Sequence, residues 1–73
     1  MTEIVRAQQV GEAMYRVVLR DPQAAREWRQ DNRRLVTLTI PQLREQLVLT
    51  IWEADAFAGT ITVYIPAAAT RGP

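Results

Sequence analysis

One dipeptide, Asp21-Pro22, constrains this chain more than any other feature. Proline disfavours helical geometry in the residue before it, so a helix does not run easily through this point. Proline also suits the first position of a helix, and aspartate is a strong N-cap. The dipeptide therefore ends one element near Arg20 and starts a helix at Pro22. That helix is predicted to reach about Arg33, with Ala24, Ala25 and Trp28 on a narrow apolar side.

Ahead of the dipeptide, Ile4, Ala7, Val10, Gly11, Met14, Val17 and Val18 recur with the helical period. Arg6, Gln9, Glu12, Arg16 and Arg20 fall on the other side. This spacing predicts a first amphipathic helix over residues 3–20, with Thr2 as N-cap and Glu3 in the first turn. Two helices joined so tightly make a corner or a hairpin.

After Leu35 the period changes to two. LVTLTI sets Val36, Leu38 and Ile40 on one face and Thr37 and Thr39 on the other, and Pro41 ends the run. PQLREQ has room for one helical turn. Residues 46–53, QLVLTIWE, are β-rich and apolar on both faces, and TITVYI (60–65) alternates again. ADAFAG between them suits a hairpin loop containing Gly59. The sum is an α+β fold in which two N-terminal helices pack on a small three-stranded antiparallel sheet. One domain over 1–65 and a loose tail over 66–73 complete the expected organisation. LVLTIW is predicted to be the central strand or to lie in an interface.

A chain of 73 residues buries only about 60% of the surface that its unfolded form exposes. It has no cysteine, so no disulfide adds stability, and self-association or a partner is the remaining source. It also has no His, Ser or Lys. The common nucleophiles and the neutral-pH base are missing, which points away from an enzyme and from a metal or other cofactor. Net charge is +1, with all nine basic residues arginine, so no strong field steers the chain to nucleic acid or membrane. No stretch resembles a signal peptide or a membrane span, so the expected location is cytoplasmic.

Arg26, Arg29 and Arg33 would share one side of the second helix, away from Trp28. Three arginines supply only about three phosphate contacts, so a solvated helix face is favoured over an anion-facing stripe. Trp28 and Trp52 are read as core, with interaction anchors as the alternative, and Tyr15 and Tyr64 as core rings whose hydroxyls reach the surface. Glu53 and Asp55 could hold a cation, but no further ligand lies near them, and turn solubility accounts for both.

EAMYRVVLRDPQAA resembles a region of the nitrile-hydratase-like leader peptides, the leader regions of ribosomally made peptide precursors. There an aromatic-Arg pair on an amphipathic helix leads into a Leu-x-Asp-Pro turn and a second helix. Tyr15-Arg16, Leu19, Asp21, Pro22 and Ala25 match that pattern. LTIWEADAFAGTITVYIP resembles the same family's closing hairpin, with Glu53 and Ile65-Pro66 in the matching places. The metal-binding cysteine motif of true nitrile hydratases is absent, so the resemblance implies no hydratase activity. It implies a non-catalytic domain that docks on peptide-modifying enzymes. The rival expectation is a small homodimeric accessory or regulatory protein joined through its β half; an arginine-stripe nucleic-acid binder is third. Tyr15, Arg26, Trp28, Arg29 and Arg33 are the candidate partner-binding residues, and Asp21 and Pro22 form the structural helix junction.

Overall fold

The computed structural model describes residues 3–40 and 45–66. Along the chain run β1 (Glu3–Gly11), β2 (Met14–Arg20), α1 (Pro22–Gln30), β3 (Leu35–Ile40), β4 (Glu45–Asp55) and β5 (Thr60–Pro66). The strands form one antiparallel sheet in the order β1-β2-β5-β4-β3. This corrects the expected fold: one helix lies on a five-stranded sheet, and the segment read as a first helix is a β-hairpin.

The hairpin has physical causes. Glycine inside a helix costs about 1 kcal/mol and the β-branched Val17-Val18 pair also disfavours one. In Tyr15–Leu19 the alternation places Val17 and Leu19 inward, both buried, while Arg16 and Val18 point to the other face. The chain reverses at Glu12-Ala13, where Gly11 pairs with Met14. The residues that seemed to share a helical arc are thereby dispersed: Val17 is core, whereas Ile4, Val10 and Met14 are exposed.

Asp21-Pro22 does start a helix. The Asp21 carboxylate accepts from the Ala24 N–H at 3.0 Å, and Pro22 occupies the first turn. What ends there is a strand rather than a helix. α1 stops at Gln30, short of Arg33, because Asn32 adopts a left-handed conformation (φ 57°) that asparagine tolerates. Ala24 and Ala25 are fully buried, and these small side chains bring the helix close to β4 and β5.

Val17, Leu19, Ile61, Val63 and Ile65 supply the core from the two central strands, with Leu49, Ile51, Val36 and Leu38 from β4 and β3. Leu19, Ile61 and Val63 are fully shielded, each worth about 1.5–3 kcal/mol of burial. The expected faces of LVTLTI and TITVYI hold in this core: Val36 and Leu38, and Ile61, Val63 and Ile65, point inward. Of the PQLREQ turn, 41–44 lie outside the described residues, and Glu45 and Gln46 belong to β4. Thr2 and the tail from 67 onward also lie outside them, and Pro66 closes β5.

β4 divides its pairing. Its first half pairs β3, from Ile40↔Glu45 to Leu35↔Thr50. Its second half pairs β5, from Ile51↔Val63 to Asp55↔Thr60, with a register shift at Trp52. Such a bulge bends a strand and increases its twist. β4 therefore veers from β5, and Tyr64–Pro66 run past the end of their shared ladder.

Candidate functional site

Among the described residues, the helix covers one face of the sheet and the other is left open. Register assigns the open face. Arg16, Val18 and Arg20 of β2 sit beside Tyr64, Thr62 and Thr60 of β5 on one side. On the other they sit beside Gln8, Arg6 and Glu3 of β1. From β4, Glu53 and Asp55 lie beside Thr62 and Thr60.

One end of this face is apolar. Where β4 leaves β5, a concavity of about 620 Å³ opens, lined by Val10, Met14, Val48, Trp52, Tyr64 and Pro66 among others. Trp52 stands edge-on to Tyr64 with ring centroids 5.5 Å apart. Alternation along β4 sets Val48, Thr50 and Trp52 on the open side opposite buried Leu49 and Ile51, and the bulge then keeps Glu53 on that side as well. Trp52 is 64% exposed and Val48 65%, with Val10 at 41% and Met14 at 38%. Together these four make one contiguous exposed apolar patch, the kind of feature that often marks an interaction site on a monomer.

The other end is polar, and its charges divide by strand. Arg6, Arg16 and Arg20 lie on β1 and β2; Glu53 and Asp55 lie on β4, with Glu3 at the β1 edge. Arg20 meets Glu3 at 3.2 Å, an exposed pair worth at most about 1 kcal/mol. Arg16 donates to Gln8 at 3.1 Å. Asp55 accepts from the N–H groups of Phe57 and Ala58, both at 3.0 Å, so it shapes the β4–β5 loop. Among the described residues no group of three or more acidic side chains could hold a metal ion.

The five residues expected to bind a partner do not form the arginine stripe the sequence suggested. Arg33 lies past the end of α1, ion-paired to Glu27 at 2.6 Å and donating to the Leu35 carbonyl at 2.9 Å. Arg26 and Arg29 remain exposed on the helix. Trp28 is half-buried against the core with the Arg34 guanidinium 4.9 Å above its ring, a cation–π contact. Its Nε1 is buried and has no hydrogen-bond partner among the described residues. Tyr15 is half-buried on the helix side, packed against the same core.

Trp52 corrects the core reading, since most of its ring is in solvent. The signal was present: LVLTIW is apolar on both faces, and one helix can cover only one of them. Val10 and Met14 were assigned to a helix and so could not be placed beside it.

No helix among the described residues is long and apolar enough to cross a membrane. No family model matches the sequence, and searches of curated proteins and of solved structures find no match either.

Proposed function

We propose that this chain is a non-catalytic protein-interaction module that docks a protein through the apolar end of its open sheet face, with Trp52 as anchor. The observation that carries the reading is an exposed tryptophan framed by Val10, Met14, Val48 and Tyr64. Tryptophan is enriched among the few residues that dominate binding energy. The chain's lack of Cys, His, Ser and Lys supports a binding role over a catalytic one.

A peptide-modifying enzyme is the second reading of the partner. Glu53 and Ile65-Pro66, which carry the hairpin half of the leader resemblance, lie on β4 and β5 of a hairpin. Tyr15, Arg16 and Leu19, which carry its helical half, lie on a strand, and this weakens the enzyme reading.

Photo-crosslinking in the native host tests the docking role. A benzophenone amino acid replaces Val48, and adducts are sized and identified by mass spectrometry. The expected result is a protein adduct of one defined mass that is lost when Trp52→Glu is added. Adducts formed only from a probe at Arg26 or Arg29 would move the binding surface to the helix and refute the reading.

A further inference from the structure

Resting on that docking role, we infer that the occupant of the open face is a second copy of this chain, packed face to face about a two-fold axis that runs along β5.

The exposed apolar side chains are clustered: Val10, Met14, Val48 and Trp52 line one concavity, which a second copy would cover.

The charge layout selects the partner. The open face carries Arg6, Arg16 and Arg20 against Glu3, Glu53 and Asp55, with Arg29 of α1 reaching its polar concavity, so no strong net charge dominates it. Such a face offers nucleic acid little counterion release and an acidic peptide little attraction. Yet the signs are separated across β5: arginines on the β1–β2 side, Glu53 and Asp55 on the β4 side. Rotation by half a turn about β5 lays the β1–β2 side of one copy over the β4 side of the other. By register, Arg20 of each copy then faces Asp55 of the other, as an isologous contact requires.

The apolar end obeys the same operation. Val10 and Met14 flank the concavity from the β1–β2 side; Val48 and Trp52 flank it from β4. The rotation keeps both walls at the same end of the sheet and sets each against the opposite wall of the second copy. An in-plane axis across the strands would instead superpose like charges and set the apolar end on the polar one. The product is a sandwich of two sheets about 10 Å apart, each with its helix outside.

Sedimentation equilibrium of the full chain up to about 1 mM is the first test, since a contact of this kind is expected to hold with a dissociation constant of about 10–100 μM. Val48→Lys is expected to weaken the dimer at least ~30-fold while circular dichroism keeps the wild-type spectrum. Arg26→Glu, a change on the exposed side of α1, which packs on the other face of the sheet, is expected to leave association unchanged. Because the chain has no cysteine, the axis can be trapped directly. Met14→Cys and Val48→Cys chains, mixed and oxidised, are expected to give a disulfide heterodimer several-fold faster than either gives a homodimer. A folded wild type that remains monomeric at about 1 mM overturns the inference, as does equal dimerisation by Val48→Lys. Preferential homodimer trapping overturns the axis. A monomer whose Val48 probe still captures a different protein in the host removes the second copy but keeps the docking role. A monomer without any adduct removes both.

Discussion

Replacing Asp21 by alanine removes the cap of α1. The side chain accepts from the Ala24 N–H at 3.0 Å, and alanine leaves that donor at the helix start without its acceptor. The Asp21 backbone N–H also donates to the Gly59 carbonyl at 2.9 Å, but substitution leaves that bond in place. The loss includes that of an N-cap and is at least about 1 kcal/mol. With a slope of roughly 1 kcal/mol per molar urea for a small protein, the midpoint should fall by at least about 1 M. The melting temperature should fall by at least about 4 °C. Asp21→Asn retains an acceptor oxygen and loses only the charge at the helix N-terminus, so its cost should be at most about half as large. The assay is urea unfolding followed by circular dichroism, at a concentration where association does not change between variants. An unchanged midpoint in Asp21→Ala, or an Asn variant as weak as the Ala variant, would show that the capping bond does not hold α1 on the sheet.

Leu19→Ala removes a side chain that is completely shielded at the centre of the core, and should cost about 3 kcal/mol in the same assay, a large share of the stability of a small domain. Gly59→Ala should cost about 1–2 kcal/mol, because Gly59 has φ 72° and an added Cβ would stand 3.1 Å from Cγ of Pro22. Arg33→Ala should lower stability by about 0.5 kcal/mol through loss of its Glu27 pair, whereas the double change at exposed Arg26 and Arg29 should shift the melting temperature by less than about 2 °C.

Where local chemistry decided the outcome, the sequence was readable. Asp21-Pro22 announces a cap and a first helical position, and both are occupied as expected. LVTLTI and TITVYI alternate cleanly because each has one face in the core, and Gly59 marks the one described glycine with positive φ. The first twenty residues misled for a physical reason. β1 is exposed along its whole length, so burial imposes no alternation on it. Its register shifts at Val5 and Val10 add a residue each, so same-face neighbours such as Ile4 and Ala7 stand three apart there, a spacing that a helix shares. Trp52 was misplaced for a different reason: alternation sets it opposite buried Ile51, but only the fold shows that α1 packs on the Ile51 side. The open face could not be drawn until β1 and β2 were known to be strands.

The register also determines how the molecule would bear a load. Glu3, Arg20 and Thr60 line up at one end of the sheet, while Gly11, Met14 and Pro66 line up at the other. β1 and β5 both pair antiparallel with β2 and so point the same way, and the chain enters the sheet at one end and leaves it at the opposite end. A pull between Glu3 and Pro66 runs along the strands. It strains the β2–β5 ladder from Met14↔Pro66 to Arg20↔Thr60 in shear, all rungs together, instead of peeling them apart in turn. The resisting strand is β5, clamped between β2 and the second half of β4 and carrying Ile61, Val63 and Ile65 into the core. In a small sheet strung in this way the load passes through two ladders in series, β1–β2 and β2–β5, both in shear.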